Sequence, residues 1–221
     1  MPNQPDNVKR LRAALTNTLK IDLRVNPIEI KTKGDALLIE GTVGGIRQKK
    51  RALLIALSLE GISGVIDRLR VLPASHMGDR EIAAHIGDAF TQEPMLNSSK
   101  ITLEVSNGEV DIEGKVSSLT HKRLAGVLAW WVPGVAEVIN SLEVEHPEED
   151  RANEVTDALR IVLEKDRLVD ESSIKVTTED WVVRLSGAVK SEEQREAAEN
   201  DAWYVWGVND VINELEVVNV L

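Results

Sequence analysis

The sequence predicts an α+β protein built as three tandem units of the order helix, strand, strand, helix, strand. Each unit is expected to form a small mixed three-stranded sheet with two helices on one face. Three observations carry this expectation. First, one phrase closes each unit: Gly207-Val208-Asn209-Asp210-Val211-Ile212-Asn213-Glu214-Leu215-Glu216-Val217, then Gly134 to Val144, then a worn copy from Gly61 to Val71, with the leading glycines 73 residues apart. Second, each unit repeats two small residues one helical turn apart, as Ala52 and Ala56, Ala125 and Ala129, and Ala198 and Ala202. Third, apolar alternation on either side of Asn107-Gly108 marks a hairpin.

The middle unit, residues 78–146, is the clearest copy. Asp79 to Phe90 places Ile82, Ile86, Ala89 and Phe90 on one helical face. Lys100 to Val105 alternates as a half-buried strand, and Val110, Ile112 and Val116 continue the pattern on the return. Gly114 interrupts that face, which predicts a bulge or a close helix approach. Ser118 caps a second helix running to about Val132, and Pro133-Gly134 ends it. The last strand, with Val138, Leu142 and Val144, is expected parallel to the second because a helix separates them.

The third unit, residues 150–221, repeats the plan, with Val155, Leu159, Val162 and Leu163 on its first helix. Ile174 and Val176 follow on its first strand, and Trp181, Val183, Leu185 and Val189 on its second. Ser191-Glu192-Glu193-Gln194 is a capping box. The first unit, residues 1–73, diverges. Its first helix is displaced by about two residues, Asn26-Pro27 lies in the connection after it, and Gly45 takes the capping position that serine holds elsewhere. A divergent end unit is what a capping repeat shows. Residues 73–78 form a joint of flexible composition, and the run Glu148-Glu149-Asp150 suits a helix start, where the dipole favours carboxylates.

Composition narrows function. The chain is 43% hydrophobic and 29% charged, as ordinary globular proteins are, and its net charge of −11 works against nucleic acid as a partner. There is no cysteine, so disulfides, thiolate metal sites and cysteine nucleophiles are excluded. No run of about 18 apolar residues spans a bilayer. The first seven residues lack the apolar core of a signal peptide, which points to the cytoplasm, or to the periplasm if a signal has been removed.

The closing phrase, a second strand ending in glycine and the alanine-rich helix resemble the BON domain, named for bacterial osmotically inducible and nodulation proteins. The third unit carries the motif as Leu185-Ser186-Gly187-Ala188-Val189, Ala198, Ala202, Gly207-Val208, Val211, Asn213, Leu215 and Val217. The second carries it with Ile112-Glu113-Gly114-Lys115-Val116, Gly134-Val135, Val138, Asn140 and Leu142. The first keeps Ile39-Glu40-Gly41-Thr42-Val43, Gly61 and Leu69 but has Asp67 where the others have asparagine. The motif is one of fold and brings no catalytic residues. The resemblance implies phospholipid interaction, envelope and osmotic-stress maintenance, attachment or chaperone-like roles and, in some cytoplasmic relatives, potassium.

The residues themselves offer no cofactor or metal site. His76, His85, His121 and His146 have no ligand spacing, and the carboxylates Asp166, Asp170 and Glu171 lack a glycine-punctuated calcium loop. Asn140 and Asn213 share the parity of buried neighbours, so each amide is expected to be hydrogen-bonded to backbone of the neighbouring turn. Five Trp accompany one Phe and one Tyr. Trp130, Trp131, Trp203, Tyr204 and Trp206 flank the alanine stripe as core rim, as contact between units, or as a surface for a partner or lipid. Arg47, Lys49, Lys50 and Arg51 form the one basic run, read either as a solvated face or as a lipid contact. The open sheet face is expected to serve inter-unit or self-association in the first and third units through Ile66 and Ile212 more than in the second through Ile139. The function expected is that of a non-enzymatic interaction protein, docking on proteins or phospholipid surfaces in a stress response. The alternative is a cytoplasmic potassium sensor or scaffold.

Overall fold

A computed structural model of the chain describes residues 4–145 and 151–218. The acidic run at 148–150 and His146 lie outside the described residues. The chain divides into two compact units, Met1–Leu72 and Pro73–Leu221, so the second and third repeats share one body.

The first repeat contains α1 (Gln4–Asn17), β1 (Ile28–Lys33), β2 (Ala36–Val43), α2 (Ile46–Leu57) and β3 (Gly64–Val71). β1 pairs antiparallel with β2, and β3 pairs parallel with β2, as a helical crossover requires. The faces that alternation predicts as apolar meet in one core. Leu11 and Leu15 of α1 and Ala52 and Ala56 of α2 cover Ile28, Ile30, Leu37, Ile39 and Leu69 of the sheet. Gly45 holds the capping position of α2 in an extended conformation without a side-chain bond.

In the larger body the second repeat comprises α3 (Asp79–Gln92), β4 (Ile101–Ser106), β5 (Glu109–Val116), α4 (Leu119–Trp130), β6 (Glu137–Asn140) and β7 (Glu143–Val144). The third comprises α5 (Ala152–Lys165), β8 (Ile174–Glu179), β9 (Val182–Val189), α6 (Glu192–Tyr204) and β10 (Asp210–Val217). Ser118 and Ser191 cap α4 and α6, accepting from the N–H groups of His121 and Gln194. The final strand of the second repeat is interrupted between Asn140 and Glu143, whereas β10 is continuous.

The glycine near the end of each second strand is required by a close backbone approach. At Gly114 there is no bulge, and the near neighbour is the last residue of a single 3-10 turn, Ser98–Lys100, with Glu171–Ser173 its counterpart at Gly187. A Cβ on Gly114 would stand 2.0 Å from the Lys100 carbonyl oxygen, one on Gly187 2.0 Å from that of Ser173, and one on Gly41 2.6 Å from that of Pro27. The chain entering the first strand therefore occupies the side-chain position, and all three glycines have positive φ. Gly61 and Gly207 are also left-handed, while Gly134 is required by packing, since its Cβ would meet that of Met77 at 2.6 Å. The joint at 73–78 is thus held against the α4 turn, with the Ser75 N–H donating to the Pro133 carbonyl at 3.0 Å.

Trp181, expected within a strand, instead forms the β8–β9 turn with Asp180, both at positive φ. It takes the place that Gly108 holds in the second repeat, at a cost of about 1–2 kcal/mol for a side chain in the left-handed region. The expectation about the open sheet faces fails. Ile66, Ile139 and Ile212 are 42%, 41% and 36% exposed, so no repeat uses that position preferentially. The second and third repeats associate through their helices instead: α4 packs on α5 and α6. Arg123, Leu124, Val127 and Leu128 are buried on α4 together with Ala125 and Ala129.

Candidate functional site

Helix packing puts the aromatic residues of the second repeat beside those of the third. Trp130 stacks on Tyr204 with ring centroids 5.5 Å apart and planes 9° from parallel. Trp131 donates from Nε1 to Asp201 Oδ1 at 2.7 Å, and Arg123 donates from Nε to the Trp206 carbonyl at 3.0 Å. Trp203 is fully buried and donates to Glu199 at 3.5 Å. Trp206 is 50% exposed, with Lys122 and Arg123 5.4 and 5.7 Å from its ring centre. Trp181 completes the group: its ring approaches Gly207, and its carbonyl accepts the Asn209 N–H at 2.9 Å. All five Trp and the one Tyr therefore belong to the second and third repeats, five of the six in direct contact across or beside their seam.

Of the readings open for the aromatic set, this placement selects contact between repeats. Trp203 has no surface to offer, and Trp130, Trp131 and Tyr204 spend their faces on each other's repeats. The physical reason is area: an indole or phenol ring buries 150–250 Å², and the facing helices supply the nearest apolar partner. Trp206 alone of these presents half of its surface to solvent.

Sequence reasoning missed Asp201, although the signal was available. In the 73-residue register it falls where the other repeats have Ile55 and Leu128. An acid at an apolar position of a helix this buried is a local inconsistency of the kind that marks a site. Burial pushes its pKa up to about 8 against the opposing Trp131 hydrogen bond, and the nearby Asp166 carboxyl raises it further. Burial, and then the Asp201 carboxyl, raise the Tyr204 phenol.

The asparagines are structural and bond backbone as expected, with a helix carbonyl joining the N–H group two residues on. Asn140 Nδ2 donates to the Lys122 carbonyl of α4 at 2.7 Å, and its Oδ1 accepts the Leu142 N–H at 3.3 Å. Asn213 repeats this with the Arg195 carbonyl at 3.2 Å and the Leu215 N–H at 3.1 Å. In the first repeat Asp67 accepts the Leu69 N–H at 2.8 Å and forms an ion pair with Lys49 at 2.9 Å. Lys49 also donates to the Leu69 carbonyl at 2.7 Å.

That pair corrects the reading of the basic run. Lys49 is buried, occupied in holding β3 to α2, and belongs to no surface. Arg47 is exposed, and Lys50 and Arg51 are half-buried. Arg47, Arg51 and Leu54 are spaced by a turn each along α2, with Leu57 following, and both leucines are exposed.

Other candidates resolve into structure. His76 and His85 are exposed, and His121 Nδ1 bonds Ser117 Oγ at 2.6 Å. Asp170 is held down to about 2 by hydrogen bonding to Lys190, at 2.6 Å, and then to Ser172. Asp166 closes α5 by accepting the Leu168 N–H. Among the described residues no group of three or more His, Asp or Glu is placed to hold a metal ion, and no helix is long and apolar enough to cross a membrane.

Comparison with known proteins agrees with the repeat. The chain is 31% identical over 146 residues to osmotically-inducible protein Y of Escherichia coli (strain K12), covering 63% of this chain and 73% of that protein. It is 30% identical over 120 residues to an uncharacterized protein in the gshII 5' region of Anaplasma centrale, covering 52% of this chain and 80% of the relative. Among solved structures, CdsD, a structural protein of the type III secretion system of Chlamydia trachomatis, overlaps 96% of this chain and 93% of its own at 14% identity, with a TM-score of 0.28. An overlap that loose carries no functional argument. The model of the BON domain matches residues 7–73, 78–146 and 151–219, nearly the whole of the described structure, so the chain belongs to the BON domain family as three tandem copies.

Proposed function

We propose that this is a non-catalytic docking protein with a stress-related role, whose first repeat lies on an anionic phospholipid surface while the other two form a rigid acidic body. The observation that carries this reading is charge segregation. Residues 1–72 contain 13 Lys and Arg against 7 Asp and Glu, a balance of +6. Residues 73–221 contain 13 against 30, a balance of −17. The net charge of −11 thus conceals a basic unit. An anionic surface attracts such a unit by about 1 kcal/mol per Lys or Arg close to it, and repels the rest of the chain. On α2, Arg47 and Arg51 stand beside exposed Leu54 and Leu57, the pairing of cationic and apolar side chains that suits a headgroup boundary. The stress-related part of the reading is supported by the relative named for osmotic induction.

The test is flotation of the full chain with phosphatidylglycerol-containing and with pure phosphatidylcholine vesicles. Trp emission is the wrong probe for this, because every Trp lies outside the first repeat. The absence of native cysteine allows Ser58→Cys, next to Leu57, to carry an environment-sensitive dye. The expected result is flotation and a dye blue shift with the anionic vesicles only, both lost in Arg47→Glu/Arg51→Glu and weakened by added salt. Flotation indifferent to lipid charge, or none at all, overturns the reading. A melting temperature raised by potassium but not by sodium would put the cation reading in its place.

A further inference from the structure

The repeat places an acid, Asp201, in the middle of an otherwise apolar helix contact, and its surroundings define its protonation state. Its side chain is 2% exposed. Oδ1 accepts the Trp131 indole N–H from the second repeat, and among the described residues no donor reaches Oδ2, which is fully buried. The carboxyl of Asp166, at the end of α5, lies near enough to raise the Asp201 carboxyl further. Asp166 is half-exposed and already accepts the Leu168 N–H at 2.8 Å. Two ionised carboxylates in contact, one of them out of water, are strongly disfavoured. Burial makes Asp201 the one that keeps the proton.

We propose that Asp201 is a neutral acid that latches the third repeat to the second, donating its proton to Asp166 while accepting from Trp131, and that loss of this proton loosens the seam. Each neighbouring element is consistent with this assignment. α5 presents Asp166, whose neighbour Lys165 is paired with Glu93 of the second repeat at 2.9 Å. α6 itself adds Tyr204 in the next turn, a neutral group whose own ionisation is suppressed by burial. α4 contributes the Trp131 indole, while its cations Lys122 and Arg123 lie at the Trp206 ring. Among the described residues Asp201 forms no ion pair, and the buried Arg123 is directed to the Trp206 carbonyl and ring.

The sign is opposite to ordinary acid denaturation. An acid raised from 3.8 to about 8 in the folded state stabilises fully below pH 3.8, and that contribution is lost as pH rises through about 8. The seam loosens on the alkaline side.

The experiment is a carboxyl ¹³C titration of the aspartate-labelled full chain, with Asp201→Asn to assign the resonance and the Trp131 indole N–H followed in parallel. Asp201 is expected to titrate several pH units above the other aspartates, and the Trp131 resonance to move at the same midpoint. Asp201→Asn keeps both hydrogen bonds, since its amide oxygen accepts from Trp131 and its nitrogen donates to Asp166. It is expected to hold its melting temperature from pH 6 to 9, where the parent loses stability. Asp166→Asn, which removes the facing charge, should move the Asp201 midpoint down. Titration of Asp201 together with the other aspartates below pH 5, or a Trp131 resonance unmoved through the Asp201 transition, overturns the latch.

Discussion

The first repeat and the third perform the same fold with different chemistry at two equivalent places. In the third, a neutral amide, Asn213, ties the last strand to the second helix by donating to the Arg195 carbonyl. In the first, the strand residue is Asp67, and the tie is a cation reaching out from the helix, Lys49, at the repeat position of Arg195. The outer face of the second helix differs more. Trp203 is fully enclosed, whereas Leu57, its equivalent 146 residues earlier, is exposed. A repeat thus preserves the positions that close its own core and leaves the helix exterior free to specialise. One exterior became a seam between repeats, the other a basic surface.

Paired substitutions at equivalent positions test this contrast. The largest effect is expected at the enclosed tryptophan. Trp203→Ala should cost about 3–5 kcal/mol, while Leu57→Ala, already in water, should stay within about 0.5 kcal/mol. Urea unfolding read by circular dichroism compares them, and similar losses would erase the distinction between enclosed and open helix faces. Next come the two ties. Lys49→Met leaves Asp67 without its partner and should cost about 2–3 kcal/mol, less than a fully buried pair because Asp67 retains some solvent. Asn213→Ala should cost about 1–3 kcal/mol through an unsatisfied helix carbonyl and strand N–H. If Lys49→Met proves silent, the ion pair is not the counterpart of the amide.

The alanine stripe should show no contrast. Ala56 and Ala202 are both fully enclosed, so Ala56→Leu and Ala202→Leu should each destabilise by about 1–3 kcal/mol through overpacking. A tolerated leucine at either site would mean the helix sits further from its sheet than its burial indicates. The smallest effect belongs to Trp206→Ala, where partial exposure limits the two cation–π contacts to about 0.5–1 kcal/mol each. Because Trp emission comes only from the larger body, substitutions in the first repeat should leave its urea transition unchanged.

Much of the fold was legible because local chemistry fixes it. The serine caps at 118 and 191, the Asn107-Gly108 turn and the alternation along the first strand of each repeat act over a few residues, and the structure follows them. Trp181 was misplaced because its turn runs through two non-glycine residues, which the usual turn signal does not include. Gly114 meets a single 3-10 turn and not one of the long helices, because antiparallel register decides which backbone crosses it. The candidate site was legible in its residue types and not in its roles. Trp130 and Arg47 are similar signals in a linear sequence, yet one faces another helix and the other faces water.

The sequence alone determined the number of repeats, the order of their elements and the side of each that must be buried, since a 73-residue register and apolar periodicity are properties of the chain itself. Only the tertiary structure decided that the second and third repeats join through their helices, that Asp201 lies in that contact beside another acid, and that Lys49 faces inward to Asp67. Periodicity says which face leaves water, but what covers it depends on contacts between residues far apart in the chain.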